Sequence, residues 1–147
     1  MARSRKDERH RAREAALQIL YQWEIGKGDV SRVAESFFRL QWPDAKAPPE
    51  TLRNFASALA TQTVTDLDAI DPMIAETAER WGPERMAILD RLILRMAICE
   101  LRRDRDTPPA VVIDEALELA RTFSTEEAVK FINGMLDAIR RKIEAQI

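Results

Sequence analysis

One cysteine and one histidine leave this 147-residue chain without the usual makings of a metal centre or a thiol–imidazole pair. Cys99 has no partner for an internal disulfide, which fits a reduced compartment. It sits in the apolar run ILRMAICEL, where a free thiol behaves as a small hydrophobe. His10 has no second imidazole beside it to share a metal. No stretch of about 18 apolar residues and no signal-peptide core occur, so the chain is expected to be soluble and cytoplasmic, neither spanning a membrane nor carrying a secretory signal. Four glycines and seven prolines are few, and neither a glycine-rich phosphate loop nor a G-x-S-x-G elbow is found. Catalysis, a metal and a cofactor are therefore not expected.

What is present is a helical composition with an uneven charge. Hydrophobic residues make up 46% and charged residues 33%, as in a globular protein. The length suits one domain over residues 1–147, able to bury roughly two-thirds of its unfolded surface. The net charge of −2 hides a division: six cations against two acids give residues 1–13 a charge of +4 and leave −6 for the rest. A basic arm on a mildly acidic body argues for a local docking site rather than a general coating of nucleic acid.

The arm suggests RNA. Arginine offers a planar fork of donors that grips phosphate or a guanine edge and stacks on unpaired bases. Arg5, Lys6, Arg9, Arg11 and Arg13 are candidate contacts. Arginines in a first helical turn face the positive end of the helix dipole, which is unfavourable unless an anion answers it. The plainer reading is a solvated helix start. Tyr21 lies off the main apolar stripe, and Phe131 precedes Asn133; an aromatic face with an amide can receive an unstacked base. By stripe position Trp23 is expected in the core, which is also the plainer reading of Phe131.

Apolar residues recur with helical period almost throughout, and no run alternates long enough for a strand, so the fold is expected to be all-α with about seven helices. The first runs from Asp7–His10 to Ile25 and is ended by Gly26 and Gly28. Val30–Leu40 and Glu50–Leu67 follow, separated by QWPDAKAPPE. Asp71-Pro72 reads as an N-cap with a first-turn proline opening the fourth helix, closed by Trp81-Gly82-Pro83. The fifth spans Pro83–Arg103, Thr107-Pro108 opens the sixth, and Ser124 with Glu127 forms a capping box for the last. Glu84, Asp90, Glu115, Glu118 and Glu127 are candidates for an acidic partner face, with Arg91 beside Asp90, although the box already claims Glu127. Arg95 and Glu100, flanked by apolar residues, need each other or the backbone.

At these residues the chain resembles the NusB family of bacterial transcription antitermination factors. The likeness covers nearly the whole length: RARE-AALQILYQ at Arg11–Gln22, DRLILRMAICEL at Asp90–Leu101, P-x-V-V-I-D-E-A-L-E-L-A at Pro109–Ala120 and, most specific, KFINGMLD at Lys130–Asp137. It implies two small packed helical bundles, no reaction, and joint binding of single-stranded boxA RNA with NusE, a small-subunit ribosomal protein, for delivery to the RNA polymerase antitermination complex during ribosomal RNA transcription. Matched position by position, it implies RNA contacts at Arg9, Arg11, Arg13, Tyr21, Arg95, Lys130, Phe131 and Asn133, with His10 where a further basic residue is common. Glu84, Asp90 and Glu127 match the NusE face, although aspartate is common at the last. Asp114-Glu115-Ala116 stands where the family often has Asn-Glu-Ala. The competing reading is a non-catalytic RNA-binding domain of the kind fused to ribosomal RNA cytosine methyltransferases. A membrane-surface module is disfavoured because residues 1–11 hold almost no apolar side chain to insert. Homodimer formation stays open.

Overall fold

The computed structural model describes residues 5–79 and 82–146, Arg5 and Lys6 by backbone only. Among the described residues every regular element is helical, and the chain divides into two compact units at Val64/Thr65.

The first unit is built on α1 (Arg5–Gly26). No proline or glycine interrupts it before its last residue, and Ala12, Ala15, Ala16, Ile19 and Leu20 form its buried stripe. Small residues on that stripe allow neighbouring backbones to come close. The helix ends where Lys27 and Gly28 enter the left-handed region, at φ 56° and 89°, so Gly28 supplies the conformation that glycine adopts without cost. Trp23, expected in the core, is half-buried at this end, its indole N–H donating to the Gly28 carbonyl at 2.9 Å. Asp29 caps α2 (Val30–Ser36) by accepting from the Ser31 amide and hydroxyl, and those two bonds hold its carboxyl below the ordinary carboxylate range. The helix continues as one wide turn, Phe37–Gln41, which buries Phe37 and Phe38 edge to face with centroids 5.2 Å apart. A loop then leads to α3 (Glu50–Thr65), whose Leu52, Ala56, Leu59 and Ala60 are buried.

The second unit holds α4 (Leu67–Thr77), a 3-10 turn at Pro83–Arg85, α5 (Ile88–Arg103), α6 (Pro109–Phe123) and α7 (Glu126–Ala145). Every residue of α5 from Leu92 to Leu101 is buried, the charged Arg95 and Glu100 included, as in a central helix covered by its neighbours. Stripes on α6 (Val112, Ala116, Leu119) and α7 (Ala128, Ile132, Met135, Ile139) complete the core.

Three helix starts differ from the local signals. The fourth helix begins at Leu67 rather than Asp71-Pro72, with Pro72 inside it. The carboxylate of Asp71 is occupied by Arg95, which grips it with both arms of its fork at 2.9 and 2.8 Å. Asp66, at the true start, leaves capping to its backbone carbonyl because its side chain forks with Arg103 at 2.6 and 2.8 Å. The fifth helix begins at Ile88, the prolyl turn before it being 3-10. The last is capped by Thr125, which accepts from the Ala128 amide at 3.1 Å. Ser124 instead donates its hydroxyl to Asp90 at 2.6 Å, so Glu127 is not held in a capping box. Trp81, expected to help close α4, lies outside the described residues; that helix stops at Thr77.

Candidate nucleic-acid interface

In α1 the alternation of cations at 9, 11 and 13 meets a period of 3.6 residues. Arg9 and Arg13, one turn apart, share a face, while Arg11 lies about 200° from Arg9. Each face finds an aromatic ring within the first unit. The guanidinium of Arg9 sits 4.0 Å and that of Arg13 5.3 Å from the ring centre of Phe55 on α3. Arg11 sits 4.7 Å from the ring centre of Trp42, in the loop after α2. Such contacts contribute about 0.5–2 kcal/mol each according to exposure, enough to order long side chains that would otherwise sample many rotamers. A guanidinium held over a ring face still has N–H donors along its own edge, where a phosphate or base edge can approach.

Availability differs within the set. Arg9 is half-buried, whereas Arg13 is 5% exposed, its bulk packed into the unit. Arg11 donates to Asp44 at 2.8 Å, so part of its edge is taken by a carboxylate of the chain itself. The loop that carries Trp42 and Asp44 is closed by the Trp42 indole N–H on the Lys46 carbonyl at 3.0 Å. The hydroxyl of Thr51 at the start of α3 donates to Glu8, tying the arm down on a second side. His10 lies 2.9 Å from Glu14 one turn on. Tyr21 is 41% exposed, about 15 Å along the helix from Arg11. The side chains of Arg5 and Lys6 lie outside the described residues. By its spacing Phe55 is expected in the core stripe of the third helix, and the structure leaves it half-buried beneath two guanidinium groups; Trp42 and Asp44 were not singled out in the sequence, a tryptophan followed by Pro-Asp in an otherwise polar loop being the available signal.

The second unit presents a different surface. Phe131 on α7 is 39% exposed and, with Met86, Ala87, Asp90, Thr125 and Glu127, lines a shallow groove of about 380 Å³. Asp90 and Glu127, two of the acidic candidates, are thus brought together, and Phe131 with them. Glu84 is exposed on the 3-10 turn, and the half-buried Arg91 reaches the Pro83 carbonyl at 3.5 Å. Glu115 is buried on α6 and does not join that face; Glu118 pairs with Arg121 on its own helix at 2.6 Å. Lys130 is exposed at the middle of the outer face of α7, with Phe131 and Asn133 on its opposite flanks, about 160° apart. Arg95 is 8% exposed and held by Asp71. Among the described residues no three acidic, histidine or cysteine groups are placed to hold a metal ion, and no helix is long and apolar enough to cross a membrane.

Comparison with known proteins agrees over most of the chain. The NusB family model matches residues 10–141. The transcription antitermination protein NusB of Solibacter usitatus (strain Ellin6076) is 44% identical over 135 residues, 92% of this chain and 90% of that protein. NusB of T. maritima superimposes with a TM-score of 0.82 at 31% identity, over 91% of each chain. A structure described as antitermination factors NusB and NusE in complex with dsRNA shares the fold, with a TM-score of 0.78 and 23% identity over 92% of this chain and 98% of that one.

Proposed function

Because the chain belongs to the NusB family, we propose that it is a transcription antitermination factor that binds boxA RNA together with NusE and enters the RNA polymerase elongation complex during ribosomal RNA transcription in the cytoplasm. It catalyses no reaction in this role. The observation that carries the reading is the arm: three arginines pre-ordered on aromatic rings at the start of α1, in a chain whose remaining charge is negative. Ordering them before binding removes part of the entropy that a free arginine tail would lose on the RNA.

Within the first unit Arg9 and Arg11 meet phosphates or base edges, Arg5 and Lys6 extend the positive track, Arg13 backs it from beneath, and Tyr21 offers a stacking face. Within the second unit Lys130 takes a phosphate, Phe131 a base and Asn133 a base edge, while Arg95 fixes Asp71 behind them. The groove of Asp90 and Glu127, with Glu84 and Arg91 on neighbouring turns, is assigned to NusE, whose basic side chains would find two carboxylates there and an apolar ring for their stems. Residues 1–147 would act as one RNA-binding domain, and a homodimer covering the arm would compete with RNA. The relative that shares the fold and was solved with both NusE and RNA supports the pairing of those partners.

The test is fluorescence anisotropy at two salt concentrations with a boxA-like single strand, a scrambled strand and a duplex, each with and without NusE. Preference for the boxA-like strand, strengthened by NusE, is the expected result. Equal binding to all three, indifferent to NusE, would refute the reading while leaving family and fold in place.

A further inference from the structure

A groove of the first unit shares only Trp42 and Asp44 with the surroundings of the arginine arm. It has a volume of about 670 Å³ and is walled by Phe38, Arg39 and Leu40 from the wide turn, Trp42 and Asp44 from the loop, and Arg53 and Asn54 from α3. That volume lies in the usual range of small-molecule pockets. Its chemistry is mixed in a particular way. Arg39 and Arg53 are exposed, and neither guanidinium has an acidic partner among the described residues, whereas most other cations of this unit are paired or stacked. Asn54 adds an exposed amide and Leu40, 70% exposed, an apolar rim. Trp42 and Phe38 form the aromatic wall, with ring centres 5.7 Å apart. Glu35 and Asp44 in the lining match the two arginines in number, but Asp44 is already answered by Arg11 at 2.8 Å, so only Glu35 offsets the two unpaired guanidinium groups and the local field is weak.

Its position adds the decisive point. Trp42 and Asp44 belong to the groove and also hold Arg11, so the groove adjoins the arginine arm at that residue. Unpaired cations, an aromatic wall and an amide are the set that holds single-stranded nucleic acid: cations on phosphates, rings against bases, an amide on a base edge.

We propose that this groove is a subsite for nucleotides flanking the segment held by the arm, taking one or two unpaired residues of the same RNA strand with phosphates on Arg39 and Arg53 and a base against the Trp42 wall. The proposal rests on the RNA-binding reading above. It makes the contact with RNA longer than the arm and independent of sequence in its added part, since phosphates and ring faces are common to all nucleotides.

The experiment compares the wild-type chain with the Arg39→Ala/Arg53→Ala variant, using a boxA-like strand of minimal length and the same strand extended by several nucleotides at either end. Both substituted side chains are exposed, and circular dichroism checks that helicity is kept. The wild-type chain should bind one extended strand more tightly than the short one. The variant should lose that gain, about tenfold, and its salt slope on the extended strand should fall by about 1.4, the value for two phosphate contacts on a single strand, with binding of the short strand within about twofold of wild type. Equal loss on short and extended strands, or no loss on either, would overturn the subsite while leaving the arm intact. A wild-type chain that prefers none of the strands would refute the RNA reading itself, and the subsite with it. A change in sedimentation with RNA affinity unaltered would give the groove to a second copy of the chain and overturn the proposal.

Discussion

Arg95 shows how far one side chain can be read from its neighbours. In the sequence it is a charge inside ILRMAICEL, which demands a partner, and resemblance alone places it near RNA. The partner is Asp71, 24 positions earlier, and nothing between them announces it; the Asp-Pro pair invited a capping role because that signal is local, whereas the ion pair is tertiary. Removing one member leaves a carboxylate with its back to apolar residues. Arg95→Ala is therefore expected to lower stability by about 3 kcal/mol, the low end for a buried pair because Asp71 keeps some solvent, measured as the shift in urea midpoint. Asp66 makes a second residue-scale prediction. The fork with Arg103, and less so the neighbouring charge of Arg102, hold its carboxyl below the ordinary value despite partial burial. A folded-state value lower than the unfolded one means the contribution is present at neutral pH and is lost as pH falls through the folded value, in the range below about 4. Asp66→Asn should be less stable than wild type at pH 7 and should show a shallower loss between pH 5 and pH 3; parallel curves for the two would refute the pairing.

For whole elements the period of apolar residues was sufficient, while their first residues were not. The stripes on α1, α6 and α7 were legible because burial on one face repeats along the chain and needs no knowledge of partners. Helix starts depend on single hydrogen bonds, and here side chains with good capping chemistry are diverted: Ser124 to Asp90, Asp71 to Arg95. The cap on α7 makes the difference measurable. Thr125→Ala should cost about 1 kcal/mol, and Glu127→Gln should stay within about 0.5 kcal/mol because no capping box employs it. Thermal or urea unfolding of the two variants decides between the caps; the opposite ranking would restore the Ser-x-x-Glu box. Likewise the wide turn Phe37–Gln41 carries no sequence mark, since its residues are ordinary helix formers and only the burial of both phenylalanines accounts for the extra width.

Taken as a whole, the molecule sets a positive arm against a negative remainder, and this much was plain from the order of charges. Less plain was that Arg9, Arg11 and Arg13 are held in place: rings on α3 and in the loop after α2 meet them, contacts between residues more than 30 positions apart that periodicity cannot supply. With few phosphate contacts available, the chain alone should bind a single strand with a log–log salt slope of about −3, and Lys130→Ala should make it shallower by about 0.7; an unchanged slope would remove Lys130 from the interface. Arg11 should behave otherwise. Its resting partner is Asp44, an anion fastened to the same backbone, so in the proposed complex a phosphate arriving there sets free a condensed cation of the RNA, while the displaced carboxylate stays beside it and can take up a cation in turn. The salt dependence contributed by that arginine should therefore be weaker than at a cation with no resting partner, and the carboxylate held beside it makes Arg11 the point at which the proposed complex would open first.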